Sequence, residues 1–299
     1  MTIHLPDTQS TGARPAALPP VTLLIPAYNE EKGIGAVLDA VKRLNLPGEI
    51  IIIDDGSTDR TWEVVQASGL KVIRHDVNRG YGQALKSGIL AAQHDIVVIT
   101  DADGTYPNEE IRNLLSHMDN HDMVVGARTG ESVRIPLIRR PAKKMLNLLA
   151  NYLAGVNIPD LNSGLRVFRK DLAREFFHML PAGFSFTTTI TLAMLSNGYR
   201  VKYVSINYHQ REGRSKINPI RDTLGFASLI VRTTLYFNPL KVFMPLSGLV
   251  GLLAVGLLFY SKYVLGKVMD ISVIVLLTAA LQIAVIGMLA DLIDKRGHR

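Results

Sequence analysis

The chain has 299 residues, a formal net charge of +7 and a hydrophobic content of 47%. That length holds one large domain, or one domain with an appendage, and the lack of cysteine excludes disulfides and thiolate metal sites. No interleaving of aromatic and basic residues accompanies the positive charge, so anionic lipid and phosphate ligands account for it better than nucleic acid does.

Residues 1–20 contain no apolar core segment and are rich in Pro, Thr and Ser, which predicts a disordered tail rather than a secretion signal. Residues 21–215 then alternate apolar runs with helical patterns, the signature of an α/β sheet. Strands are expected at VTLLIPAY, EIIIIDD, LKVIRHD, DIVVITDAD and DMVVGAR, with helices at about 30–44, 59–67, 80–92 and 107–119. Uninterrupted runs such as Ile50 to Ile53 suit strands covered on both faces. In open α/β sheets, ligands gather at the carboxyl ends of the strands. Four such ends carry polar groups here: Tyr28 to Glu30, Asp54 to Asp59, Asp101 to Asp103, and Arg128. In the first turn, Asn29 is placed to cap the following helix and Glu30 to lie at its positive end.

So many carboxylates on one rim repel one another unless a cation joins them. A hard divalent ion, held by one or two carboxylates and the oxygens of a diphosphate, answers that need. Dinucleotide binding is disfavoured because no G-x-G-x-x-G follows the first strand, and no Walker A lysine motif occurs. His75, His94, His117 and His121 lack metal-ligand spacing and read as surface residues at element edges.

Near the C-terminus two stretches of 20 residues, between Lys241 and Lys262 and between Asp270 and Asp291, carry no charge. As helices each reaches roughly 30 Å, the thickness of a bilayer's hydrocarbon core. Before them, Ile220, Leu224, Ala227, Val231 and Leu235 fall at helical spacing, with Arg221 and Arg232 off that face. This segment suits a bilayer surface, with an ordinary amphipathic helix on the preceding domain as the alternative. Basic residues flank both outer ends of the spans, from Arg211 to Lys241 and from Lys295 to Arg299, while the loop between holds only Lys262 and Lys267. Both flanks, and with them the large domain, are therefore expected in the cytoplasm.

Six motifs in order now carry a resemblance: IPAYNE, IIIIDDGSTDRT, the N-x-G-x-G of Asn78, Gly80 and Gly82, DADGTYP, NSGLRVFRK and REGRSKI. Over residues 20–218 the chain resembles family 2 glycosyltransferases of the GT-A (Rossmann-like) fold. The basic loop, amphipathic segment and two spans make it similar to the polyprenyl-phosphate glycosyltransferases. The implied organisation is a tail (1–20), a GT-A domain (21–215), an interfacial segment (216–240) and two transmembrane helices (about 242–261 and 271–290) with a basic tail.

The implied reaction moves a hexose from a nucleotide-diphosphate sugar to dolichyl or undecaprenyl phosphate, with Mg²⁺ or Mn²⁺ as cofactor, the bilayer as partner and room for a homo-oligomer. On the resemblance, Pro26, Tyr28 and Glu30 hold the nucleoside, with Ile53 and Asp55 on its base and ribose side. Asp101, Ala102 and Asp103 form the diphosphate and metal segment, with Asp103 as direct ligand and Thr105 standing where relatives carry Gln or Ser. Gly104 departs from the more usual Leu. Arg128, Arg211 and Lys216 match phosphate contacts; the spacing to Lys216 is one residue shorter than usual, which makes Arg214 an alternative to Arg211. The catalytic set is then Asp101, Asp103 and Arg128.

For the acceptor phosphate, Ser163 is implied by the NSG turn. Arg139 and Arg140 are candidates on electrostatic grounds, because some cation must offset the repulsion between two anionic substrates near the membrane. A processive polysaccharide synthase is a competing reading, but its Q-x-x-R-W motif is missing and Trp62 is the only tryptophan. Another lipid acceptor, or a non-catalytic nucleotide-binding scaffold, are further alternatives.

Overall fold

The structure is a computed structural model that describes residues 18–129, 148–152, 154–183, 185–208, 219–267 and 269–297. The tail to residue 17 lies outside the described residues, as do Arg139, Arg140, Arg211, Arg214 and Lys216.

The first apolar run forms β1 (Val21–Ala27), buried along its whole length. It pairs in parallel with β2 (Gly48–Asp54) and β4 (Ile96–Ile99), and β3 (Lys71–Arg74) extends the sheet beyond β2. Beyond β4 come β6 (Arg166–Arg169), β5 (Met123–Ala127) and β7 (Val201–Ser205), giving the order β3-β2-β1-β4-β6-β5-β7. Only β6 runs against the rest: it is antiparallel to both β4 and β5, whereas β7 is parallel to β5. The carboxyl ends of β1, β2, β4 and β5 therefore meet on one rim, and the residues entering β6 join them there.

Alternation along the strands sends side chains to two faces. Leu23, Ile25, Ile52, Val98 and Val124 pack under α1 (Ile34–Arg43) and α4 (Ile111–Leu115). Leu24, Ile51, Ile53, Ile99 and Phe168 pack under α3 (Tyr81–Ala91) and α6 (Phe186–Ser196). Two short helices, α2 (Thr61–Ala67) and α5 (Lys170–Glu175), complete the domain. In α1, Ile34, Val37, Leu38 and Val41 follow helical spacing and are all buried, which is why this segment sits on the sheet.

Two expectations are corrected. Asn29 does not cap α1. It adopts a left-handed backbone (φ 56°), and its side-chain oxygen accepts from the Thr58 amide at 2.8 Å, tying the first turn to the second. The helix itself begins at Ile34 behind Gly33, with no side-chain cap. The expected helix at 107–119 is also broken, into a 3₁₀ turn at Asn108–Glu110 followed by the five residues of α4.

The C-terminal part consists of α7 (Pro219–Phe237), α8 (Leu240–Tyr263) and α9 (Asp270–Gly297). Helix α7 buries Ile230, Thr233, Thr234 and Phe237 and leaves Arg232 exposed and Val231 and Leu235 half-buried; the side chains of Ile220, Leu224 and Ala227 lie outside the described residues. Ile230 joins Ala150, Ile158, Leu161 and Leu192 in a third apolar cluster, against which Val242 of α8 also packs. Helices α8 and α9 form a hairpin closed by the Ser247 hydroxyl donating to the Ala280 carbonyl at 2.7 Å. Both are long and apolar enough to cross a membrane, and large residues such as Leu252, Phe259, Ile271 and Leu281 point outward from the pair.

Candidate active site

The rim is built from turns that each strand end requires. After β4 the chain turns at Asp101 to Thr105. Gly104 takes the left-handed conformation (φ 72°) that a side chain would disfavour. Asp103 Oδ1 accepts from the Thr105 amide at 3.1 Å and from the Thr105 hydroxyl at 2.6 Å, so the buried Thr105 orients the Asp103 carboxylate. The Tyr81 hydroxyl, at the start of α3, donates to Asp101 Oδ1 at 2.9 Å. Burial first, and the Asp103 charge second, push the Asp101 carboxyl up from 3.8 to about 6; Tyr81, Arg128 and Arg166 offset part of that rise.

The turn entering β6 closes on the other side of Asp101. A side chain at Gly164 would place its Cβ 2.5 Å from Asp101 Oδ2, so the backbone of this residue lies against the carboxylate. The Gly164 amide donates to the Tyr106 hydroxyl at 2.6 Å. The Ser163 hydroxyl donates to the Gly126 carbonyl at 2.5 Å and is fully buried. In this structure Ser163 therefore braces the turn, facing β5 rather than open space.

Arg128, at the end of β5, is held in a fork. Its Nε donates to Asp160 Oδ2 at 2.7 Å and its Nη2 to Asp160 Oδ1 at 2.9 Å, with a further bond from Nη2 to Asn162 Oδ1 at 2.9 Å. Burial works against its charge, but the Asp160 carboxylate more than compensates and holds the guanidinium firmly protonated. Tyr208 lies beside it, 5.4 Å from ring centroid to guanidinium carbon, and meets Tyr106 edge to face at 5.2 Å.

The residues expected around a nucleoside divide into two groups. Tyr28 is exposed and Glu30 half-buried at the mouth of the first turn. Pro26 and Ile53 are partners across β1 and β2 and are both buried, Ile53 beneath Gly88 of α3. Asp55 is buried and engaged: its Oδ1 meets His75 Nδ1 at 2.6 Å and accepts from the Arg79 amide at 3.0 Å, and its Oδ2 accepts from the Gly80 amide at 2.8 Å. His75, read from the sequence as a surface residue, is buried, with its Nε2 at 2.9 Å from the Ser87 hydroxyl. Asp55 thus shapes the 76–80 loop. Gly80 at the end of that loop and Gly82 in the first turn of α3 serve close packing: a Cβ on Gly82 would sit 2.2 Å from the Pro181 carbonyl oxygen.

Ala102 is buried between Asp101 and Asp103, leaving the two half-buried carboxylates to define the acidic rim. Among the described residues no group of three or more His, Cys, Asp or Glu could hold a metal ion unaided. Sequence reasoning missed Tyr81, Tyr106, Asp160 and Arg166. The signals for three of them were present in the quoted motifs, since Tyr81 interrupts the glycine pattern, Tyr106 belongs to DADGTYP and Arg166 to NSGLRVFRK.

This rim, on a mixed sheet with one reversed strand, is matched over residues 22–177 by the family model "Glycosyl transferase family 2". The chain belongs to that family. A second model, "GtrB C-terminal hairpin", matches residues 238–295 of this family 2 glycosyltransferase, the α8–α9 pair. A dolichyl-phosphate hexose transferase of Haloferax volcanii is 32% identical over 217 residues, 72% of this chain and 94% of the relative. An undecaprenyl-phosphate 4-deoxy-4-formamido-L-arabinose transferase of Yersinia pestis is 26% identical over 295 residues, 92% of this chain and 88% of the relative.

Among solved structures, the UDP complex of glucosyl-3-phosphoglycerate synthase from Mycobacterium tuberculosis superposes with a TM-score of 0.57 at 20% identity, covering 72% of this chain and 80% of that one. The complex of the same enzyme with Mn²⁺, UDP and phosphoglyceric acid gives 0.56 at 22%, covering 72% and 78%. These likenesses establish the GT-A type of fold.

Proposed function

We propose that this family 2 glycosyltransferase moves a sugar from a nucleoside diphosphate to a polyprenyl phosphate, with inversion at the anomeric carbon. The observation that carries the reading is the union, in one chain, of the acidic rim and the C-terminal hairpin, matched over 92% of its length by a relative named for an undecaprenyl-phosphate acceptor. A phosphate oxygen of the acceptor attacks the anomeric carbon as the bond from that carbon to the diphosphate oxygen breaks, releasing the nucleoside diphosphate. The acceptor is already anionic near neutral pH, so no general base is required, and the protein's task is alignment and charge stabilisation.

Asp101 and Asp103 suit a Mg²⁺ or Mn²⁺ ion: two neighbouring hard oxygen donors, one of them raised by burial and then by the other's charge, with the rest of the coordination left to diphosphate oxygens. When bound, such an ion offsets the charge growing on the leaving diphosphate. Arg128, pre-set by Asp160, faces the same rim, and Tyr28 and Glu30 stand where the nucleoside would enter. Arg211 and Lys216 are assigned to the diphosphate, and Arg139 and Arg140 to the acceptor. The hairpin anchors the enzyme in the bilayer, with the catalytic domain on the cytoplasmic side as the basic flanks indicate.

The test supplies the full chain in detergent or nanodiscs with polyprenyl phosphate and a panel of radiolabelled UDP- and GDP-sugars. Label from one donor should enter the lipid extract as an acid-labile phosphodiester. Label reaching only water-soluble acceptors, or none, would overturn the assignment.

A further inference from the structure

Arg166 is the largest fully buried side chain among the described residues. It sits at the amino end of β6, between Ile99 of β4 and Val125 of β5, two residues of β-sheet away from the acidic rim. Among the described residues it makes no ion pair. A buried guanidinium without a carboxylate in contact is expensive to maintain, because the charge gives up water and gains only the longer-range attraction of Asp160 and Asp101. Burial indeed works against its charged form. The side chain instead spends its donors on neutral groups. Nε and Nη2 both donate to the Ser163 carbonyl, the former at 3.1 Å. Nη1 donates to the Thr187 carbonyl at 2.9 Å and to the Thr191 hydroxyl at 3.0 Å. One planar fork thus joins the turn entering β6 to the first turns of α6.

The turn it grips is the one that touches Asp101. Ser163 is bonded to Gly126, and the Gly164 amide to Tyr106. Gly164 then stands so close to Asp101 that no Cβ fits between them. With Tyr81 on Oδ1 and Gly164 beside Oδ2, the carboxylate has contacts on both sides.

We propose that Arg166 is a positioning residue for the transfer step, clamping the Ser163–Gly164 turn against Asp101 so that this carboxylate is held in its working orientation. The inference rests on the glycosyl-transfer reading above. A lysine keeps the charge but lacks the fork, and cannot donate in three fixed directions. Small displacements of a rim group carry large kinetic penalties.

The test compares wild type, Arg166→Lys, Gly164→Ala and the double variant, all as full chains in nanodiscs. Arg166→Lys should lower kcat by about tenfold or more with the KM for the sugar nucleotide within about threefold. Its backbone amide exchange should rise about tenfold at 161–165 while β1, β2 and β4 stay protected. Gly164→Ala should give the same kinetic pattern, and the double variant should be little worse than either single one. Thr191→Val, which removes one acceptor and spares the fold, should lower kcat by about two- to fourfold and serves if Arg166→Lys does not fold.

Unchanged kcat, additive losses, or exchange that rises uniformly across the sheet would overturn the clamp. The exchange measurement needs no turnover, so it reads the clamp even if no polyprenyl phosphate is glycosylated; a failure of transfer in the wild type would refute the functional reading separately.

Discussion

Asp101 is held in a site that disfavours its own charge, and Asp101→Asn exposes this. The folded protein raises its carboxyl from 3.8 to about 6, chiefly by burial and then by the neighbouring Asp103. Because the neutral form is favoured in the fold, the unfolded chain gives up this proton first as pH rises. The group's contribution to stability is thus fully present below about pH 4 and is lost by about pH 6. A difference of about two pH units corresponds to roughly 3 kcal/mol, and the partial exposure of the side chain lowers that to about 2 kcal/mol. Asparagine keeps an acceptor for the Tyr81 hydroxyl and removes only the charge. In a domain of this size each kcal/mol shifts Tm by about 2–4 °C. Thermal unfolding without nucleotide or divalent ion should show the two proteins equal near pH 4 and the variant about 4–8 °C more stable at pH 7.5. Using the difference between the proteins cancels the other carboxylates, such as Asp59, whose lowered values act in the opposite direction. A difference that stays constant from pH 4 to 7.5 would refute the strained-carboxylate account.

Asp160→Asn should strip Arg128 of its counter-charge and lower stability by about 2–4 kcal/mol, measured by denaturant unfolding, since the acid is fully buried and the arginine largely so; an unchanged midpoint would argue against a structural fork. Gly82→Ala would drive a Cβ into the Pro181 carbonyl and shift the helix end that carries Tyr81. A loss of about 1–3 kcal/mol is expected, with a fall in kcat, and wild-type turnover would contradict it. Gly287→Val would meet Phe243, whose Cβ lies 2.5 Å from the position of the new one. It should loosen the α8–α9 pair, read as faster proteolysis of the hairpin, while nucleotide binding by the catalytic domain persists.

The parts of the fold visible in the sequence are those with one physical signature. β1, β2 and β4 are continuous apolar runs because helices cover both their faces, and the two spans are charge-free over the length of a bilayer. β7 was not visible: VKYVS is a half-exposed edge strand with no sustained run. Helix α6 was hidden by its threonines, which suggest turn or strand, although Thr187, Thr188, Thr189 and Thr191 are all buried within a helix. The acidic rim was legible because four strand ends with polar groups converge on the ligand-binding edge of an open α/β sheet. Its supports were not. Arg166 looks like an exposed strand residue until the reversed β6 is found between β4 and β5, and Asp160 gains meaning only when the fold brings it to Arg128. Nor did the sequence show that Asp55 and Ser163 are buried, Asp55 bonded to the Arg79 and Gly80 amides and Ser163 to the Gly126 carbonyl of β5.

The central claim is that Asp101 and Asp103 drive sugar transfer to a lipid phosphate, and the near-isosteric Asp103→Asn tests it most directly. The readout is the initial rate at which labelled sugar enters the polyprenyl-phosphate fraction, with Mg²⁺ or Mn²⁺ supplied and folding checked by the thermal midpoint. The account predicts lipid-linked product from the wild type and a fall of about a hundredfold or more in the variant at an unchanged fold. A variant that glycosylates the lipid at near wild-type rate would contradict it.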